Sequence, residues 1–455
     1  MSAGILAPEE MNQLNAEETG LIVNRPEASE NSSFADWFKK VQAEGWAAFD
    51  AEPSPRRTDE AWRFATIKSL DISGYSKPLP VSDADQAALI ERSVGLKETA
   101  GRMIFANDQL LQREVLSEDL KRKGVIWEPI EKAVVEHEDI FRKHFMTQEV
   151  VLGSKKFAAL HKAWVKSGTF LYVPRGVEID LPIEVFHWLH GSGGSTFPHT
   201  LLVAGENSKV TLVDYFESSD DQAPGLALGV NDLFLGAGAK LTYICSQNWS
   251  EKTLAFQINS TVVGRDASAV SMNLNLGANY ARTESVSRLV GQGGRSDMLA
   301  VSVADGAQEF DHRTLQDHQQ PNTASDLLYK NSLSDTARTI FAGLIRVEPG
   351  AHKTDAYQKV RNLLLSDEAE ANSAPGLEIE ADDVRCTHGA TSGQIDEEEF
   401  FYLLSRGITP LVARQLIVSG FLNEVVQRLG NKAVGEKLNS LIQAKFDRIK
   451  ARSRK

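Results

Sequence analysis

The chain has 455 residues, 42% hydrophobic and 24% charged, which is ordinary for a soluble globular protein and long enough for two or three domains or for one long solenoid with flanking parts. A formal charge of −13 argues against nucleic acid or an anionic membrane as partner. The two cysteines, Cys245 and Cys386, are too far apart in sequence to suggest a disulfide framework and fit a reducing compartment; no apolar run can span a bilayer and no signal pattern opens the chain, so a cytoplasmic location is expected.

Residues 1–32 are polar, acidic and weakly patterned, and are expected to be loosely attached. Residues 34–49 (FADWFKKVQAEGWAAF) are apolar at helical spacing, and 51–58 (AEPSPRRT) form a proline-broken linker. In the following DEAWRF (59–64), Trp62 reads by itself as a packing aromatic. Residues 83–96 and 117–146 read as helices with an extended piece at 102–106, which makes residues 1–155 an α-rich N-terminal domain.

From Phe157 the texture turns to strands: 170–174, 184–189 and 200–203. A unit of short apolar strand, glycine turn and second β-branched strand then recurs in LLVAGENSKVTLVDYF, FLGAGAKLTYICS, VVGRDASAVSMNLNL and LVGQGGRSDMLAVSV. Gly205, Gly236, Gly264 and Gly291 mark its period of about 30 residues. The spacing suits a right-handed parallel β-helix, whose coils stack apolar ladders, and equally a β-sandwich with regular strands. Residues 156–395 form this core, and either of its ends needs a cover, for which the N-terminal part and the C-terminal helices are candidates.

Residues 361–407 read RNLLLSDEAEANSAPGLEIEADDVRCTHGATSGQIDEEEFFYLLSRG. Ala374-Pro375-Gly376 signals a turn. A strand from Val384 would put Cys386 and His388 on one face, a thiolate and imidazole pair suited to iron or zinc, before Gly389 and Gly393 break it. The bland alternative is a buried cysteine and a hydrogen-bonded histidine. Asp396 with Glu399 matches a helix cap, and Gly407 a helix stop. Thr409-Pro410 opens a further helix with a stripe of Leu411, Val418, Leu422, Val425 and Leu429; 436–449 is the last. Residues 396–455 are thus a C-terminal helical domain.

The long stretch above resembles the signature of the SufB/SufD proteins, scaffold subunits of the Suf iron–sulfur cluster assembly machine. AHKTDAYQKV (351–360), FDHRTLQDHQQPNTASDLLYKNSL (310–333) and DEAWRF are similar to the same family, and the likeness runs over about 157–429. RCTHGAT resembles the SufD branch; SufB members carry additional cysteines that this chain lacks. The resemblance implies a mainly β protein with a parallel β-helix core, acting as a non-catalytic scaffold. It implies pairing with SufB through the C-terminal end of the β-helix and docking of the ATPase SufC by helices from about Glu397 onward. It also implies that His388, with Cys386 beside it, faces a cysteine and a glutamate of SufB where a nascent iron–sulfur cluster forms, shared between the two chains. A homodimer in isolation is a further expectation.

Other candidates are weaker. Asp311, His312, Asp317 and His318 suit a metal or hydrogen-bond ladder, or a solvated edge; the two histidines, six apart, would share a face. His352 is a lesser candidate, and Cys245, His187, His190 and His199 read as structural. GNKAVGEKL (430–438) nearly spells a phosphate-binding loop, but Glu436 stands where lysine is required and the context is helix to helix, so no nucleotide is expected on this chain. GAGAKL and GQGGRS are tight turns rather than a dinucleotide fingerprint. The runner-up function is a β-helix polysaccharide lyase or hydrolase using Asp311 and Asp317 as acid and base.

Overall fold

The structure is a computed structural model that describes residues 20–26 and 34–452. Its body is a flattened solenoid in which two sheets face each other and the chain crosses from one to the other in every coil. Along the chain the strands are β1 (Gly101–Ala106), β2 (Gln109–Arg113), β3 (Ile126–Pro129), β4 (Gly168–Val173), β5 (Ile183–Leu189), β6 (Ser195–Thr196), β7 (His199–Ala204), β8 (Lys209–Ser218), β9 (Gly225–Leu235), β10 (Lys240–Asn248), β11 (Thr253–Val263), β12 (Ser268–Asn275), β13 (Tyr280–Leu289), β14 (Arg295–Ala304), β15 (Glu309–His318), β16 (Ala324–Leu333), β17 (Arg338–Val347), β18 (Asp355–Leu364), β19 (Glu370–Ile379) and β20 (Arg385–Gly393). The first sheet runs β2-β1-β5-β8-β10-β12-β14-β16-β18-β20, and the second β19-β17-β15-β13-β11-β9-β7-β4-β3. Lys209, Lys240, Ser268, Arg295, Ala324, Asp355 and Arg385 stand in one register column, so a coil closes every 27 to 31 residues. Parallel pairing throughout this column decides for the β-helix over the sandwich.

The repeat glycines stack as read. A Cβ on Gly264 would lie 2.6 Å from the Leu235 carbonyl oxygen, and one on Gly291 would lie 2.0 Å from the Arg265 amide nitrogen, so adjacent coils touch backbone to backbone at this corner. Left-handed Asn207, Gly238, Asp266 and Gly293 turn each coil just beyond it. Inside, Leu212, Phe216, Leu233, Leu241, Val263, Leu289 and Phe310 belong to one continuous core.

The helices are α1 (Asp36–Ala51), α2 (Asp83–Arg92), α3 (Glu118–Arg122), α4 (Ile130–Glu136), α5 (Glu138–His144), α6 (Lys155–Trp164), α7 (Glu397–Ser405), α8 (Pro410–Gln427) and α9 (Lys432–Arg452). Several expectations need correction. The stretch 117–146 is not continuous helix: β3 interrupts it. Residues 155–164, where strands were expected to begin, are helical because Phe157, Leu160 and Trp164 on α6 bury a face against Phe256 of the second sheet and Phe197 in the connection between β6 and β7. The first third also donates β1, β2 and β3 to the solenoid, with antiparallel pairs β1–β2 and β3–β4 closing its first end. Of the segment expected to be loosely attached, Ile22 is buried and its carbonyl accepts from the Trp164 indole at 2.8 Å; residues 1–19 and 27–33 lie outside the described residues.

The C-terminal helices do not cover the far end. They lie along the outer face of the first sheet, where Ile244, Met272, Leu274, Leu299, Val301 and Leu328 offer an apolar surface to Val418, Leu422, Val425 and Leu438. Leu411, expected in that stripe, points to solvent. Polar ties reinforce the contact: Lys330 meets Glu424 and Lys445 meets Asp305, with both lysines buried, and Arg428 pairs with Asp326 at 2.7 Å.

Candidate functional site

The far end of the solenoid is open. Among the described strands, β19 pairs only with β17 and β20 only with β18, so each ends its sheet with one edge unpaired. Ala374-Pro375-Gly376 is not a turn but the middle of β19, opposite Ala342-Gly343-Leu344. An edge strand tolerates a proline because its outward amide has no partner to lose. Likewise β20 continues through Gly389 to Gly393.

Register places the expected pair. Cys386 lies beside Ala356 and His388 beside Gln358, and both neighbours are buried inward residues of β18. Cys386 and His388 therefore share the inward face, one coil further out, at the mouth of the core. The mouth is completed from β19 by Leu377 and Ile379, in register with buried Ile345 and Val347 and themselves exposed. His388 is exposed, while Cys386 is half-buried against the cluster of Ile345, Val347, Ala351 and Ala356. Burial, with the nearby Asp355 carboxylate, pushes the Cys386 thiol up, so the isolated chain holds it protonated at neutral pH. Together they offer one imidazole and one thiol at the mouth of the core, and among the described residues no three His, Cys, Asp or Glu side chains group as a metal site.

The other candidates are interior or structural. His312 and His318 do share the inward face, as hydrogen-bonding core residues: His312 meets Ser302 at 3.1 Å, and His318 meets Thr323 at 2.7 Å and Ser325 at 2.8 Å. The solvated edge is ruled out by their burial. Burial drives both histidines down to about 4, which keeps them neutral. Asp311 faces outward beneath the N-terminal segment. Burial acts to raise its carboxyl, but Arg282 at 2.5 Å and Arg313 at 2.6 Å hold it below the usual range. Asp317 is buried and paired with Arg346 at 2.9 Å. His352 sits on a turn against the Asp382 carbonyl, and Cys245 is buried in the interior beside Asp214. His199 contacts His161 at 3.2 Å under α6, and His190 contacts Ser219 at 3.1 Å.

Trp62 packs as expected, on Phe157 and under the buried Arg282 guanidinium, 3.8 Å from its ring. That guanidinium was not singled out in the sequence. It joins Glu284 and Asp311 to the carbonyl oxygens of Ala61 and Leu152, pinning the N-terminal segment on the second sheet. A charged ARTES strand in a buried sheet was the available signal.

Beyond the open end, Asp396 caps α7 by accepting from the Glu398 and Glu399 amides, both at 2.9 Å, and left-handed Gly407 stops it. Phe401 is 71% exposed and Tyr402 55%, beside a groove lined by Leu364, Leu365, Ile395, Phe400 and Leu404.

Comparison with known proteins bears on this architecture. The model of the SUF-system FeS cluster assembly SufBD core domain matches residues 187–421, more than half of the chain. The chain belongs to the SufBD family. The model of the SufBD N-terminal region matches residues 24–185. The chain is similar to the iron–sulfur cluster assembly protein SufD of Bacillus subtilis, 30% identical over 423 residues, which is 92% of this chain and 96% of the relative. It is also similar to SufBD family proteins of Staphylococcus saprophyticus, 24% identical with 94% of each chain covered, and of Staphylococcus epidermidis, 25% identical with 83% of each covered. In this SufBD protein no helix among the described residues is long and apolar enough to cross a membrane.

Proposed function

We propose that this SufBD protein is the SufD-type, non-catalytic scaffold subunit of a cytoplasmic SUF complex, and that its open end pairs with SufB. The observation that carries this reading is the last coil, which leaves two strand edges unpaired and sets His388 and Cys386 at the same mouth. Strand addition at those edges would extend both sheets into the partner. The nascent cluster is cargo there. A cluster takes four ligands, mostly thiolates, so this chain's two donors serve a site that the partner completes. Proximity of a metal cation would also reverse the upward push on the Cys386 thiol.

The exposed aromatic face of α7 and the adjoining exposed Leu411 and Leu416 of α8 suit docking of the ATPase SufC. Because α8 and α9 are fastened to the sheet by Leu422, Leu438 and the buried Lys330 and Lys445 pairs, movement at that dock would pass to the coils as a rigid-body shift.

Co-expression with SufB and SufC tests the assembly, with a stable ternary complex expected; a chain that binds neither would end the proposal. His388→Ala is expected to leave that complex intact and to cut cluster formation, read by anaerobic absorbance, by about tenfold or more, the usual scale for a lost ligand-shell group. An unchanged cluster yield removes His388 from the chemistry. The lyase alternative finds its two carboxylates already committed to arginines, and a sugar-release assay is expected to be blank.

A further inference from the structure

Beneath His388 lies a buried amide. Gln358 of β18 is its register partner on the same inward face and is only 2% exposed. One coil further in, the register partner of Gln358 is the buried, apolar Leu327. The orientation of the amide is fixed from across the interior. The Tyr357 carbonyl can only accept, so the Gln316 atom that meets it at 3.1 Å is the nitrogen, which also donates to Ser325 Oγ at 2.7 Å. The oxygen of Gln316 is then the atom that faces Gln358, and it accepts from Gln358 Nε2 at 3.4 Å. Gly343 leaves room for this contact, since a Cβ there would lie 2.4 Å from Gln358 Nε2. What remains is Gln358 Oε1, an acceptor buried with no hydrogen-bond partner among the described residues. Leaving a buried acceptor empty is costly, and native structures rarely do so without a purpose.

Register partners on these two strands do reach each other. Further along the same inward face, Asn362 of β18 donates to Ser392 Oγ of β20 at 3.0 Å. Adjacent strands stand about 4.8 Å apart, so Gln358 and His388 lie within the same reach. An imidazole N–H is the donor that Gln358 Oε1 lacks. Neutral imidazole has one N–H and one lone pair, so holding the N–H inward turns the lone pair outward, and a histidine that binds metal usually has its other nitrogen held in this way. We propose that Gln358 is the positioning residue of His388: its Oε1 accepts the imidazole N–H and so presents the other ring nitrogen at the mouth. The inference rests on the reading of His388 given above and adds the group that selects its tautomer.

The experiment uses the full chain carrying isotopically labelled histidine, with His388→Ala to identify the His388 signals and thermal unfolding to confirm that each variant folds. At about pH 8, above the ordinary histidine range, the imidazole nitrogen shifts report which ring nitrogen carries the proton. Wild type is expected to hold one tautomer of His388. Gln358→Met, close in shape but without the acceptor, is expected to move the ratio by about tenfold toward the mixture of a free imidazole, the scale of one hydrogen bond. A free-imidazole mixture already present in wild type overturns the proposal whatever the variant does, and so does the same ratio in both proteins. In the complex with SufB and SufC, Gln358→Met is expected to leave assembly intact and to cut cluster yield by about tenfold. A loss of yield with the tautomer unmoved reflects packing alone and overturns the positioning role. That role is overturned as well if His388→Ala cuts the yield and Gln358→Met does not. If His388→Ala itself leaves the yield unchanged, the reading of His388 as a cluster ligand fails, while the tautomer ratio still decides the hydrogen bond.

Discussion

His187 lies flat between Phe105 and Phe216, at ring-centroid distances of 5.4 and 5.1 Å, with no hydrogen bond to its Nε2. Burial drives it down to about 3 from the usual 6.5. A histidine with a depressed folded value binds its proton more readily in the unfolded chain, so the stability it permits is complete above pH 6.5 and is lost as pH falls toward 3. At pH 5 the loss amounts to about 2 kcal/mol. His187→Phe, which keeps the stack, is expected to remove that part of the acid sensitivity in urea unfolding at pH 7 and pH 5; an unchanged difference between the two pH values would refute it. At this scale the sequence was partly legible. His187, Cys245 and Trp62 were read as structural, and each is buried in a packed setting. What Asp311 and His318 do was left open, because the local pattern does not say which face of β15 turns into the core, where His318 lies, nor that the distant N-terminal segment at Arg63 covers the other, where Asp311 lies. Arg282 went unread for the same reason: its partners Ala61 and Leu152 are 221 and 130 residues distant.

The helices and strands show which local signals survive packing. The 3.6-residue stripe of α8 is real, with Val418, Leu422 and Val425 buried against the first sheet. Leu422→Ala should cost about 2–5 kcal/mol by denaturant unfolding, the range for a truncated core leucine. Phe401→Ala, at a solvent-facing position on α7, should stay within about 0.5 kcal/mol. Equal losses at the two positions would contradict the packing described. Caps and stops at Asp396 and Gly407 were also legible, since both are satisfied within a few residues of chain. Pro375-Gly376 misled because the same dipeptide that makes a turn in isolation is admissible in an edge strand. Only the order of strands in the sheet reveals that β19 is such an edge.

Across the whole molecule, order should follow coil position. The middle strands β13 and β15 are buried along their entire length, whereas almost every residue of β20 is exposed. Amide hydrogen exchange is therefore expected to be slowest in β13 and β15 and fastest in β19 and β20, because each coil is held only by its neighbours and the last has one. Uniform protection along the solenoid would contradict this, and SufB is expected to slow exchange at β19 and β20 selectively. By itself the sequence determined the repeat: its period of about 30 residues, a glycine at each turn, and the alternation that puts Cys386 and His388 on one face are all local consequences of a strand–turn–strand unit, while parallel stacking into a coil rather than a sandwich was settled by pairing between repeats. The tertiary structure alone decided which end stays open. A helix stripe records that an apolar partner exists but not which surface supplies it, so only the fold could show that α8 and α9 run along the flank of the first sheet and leave the last coil bare.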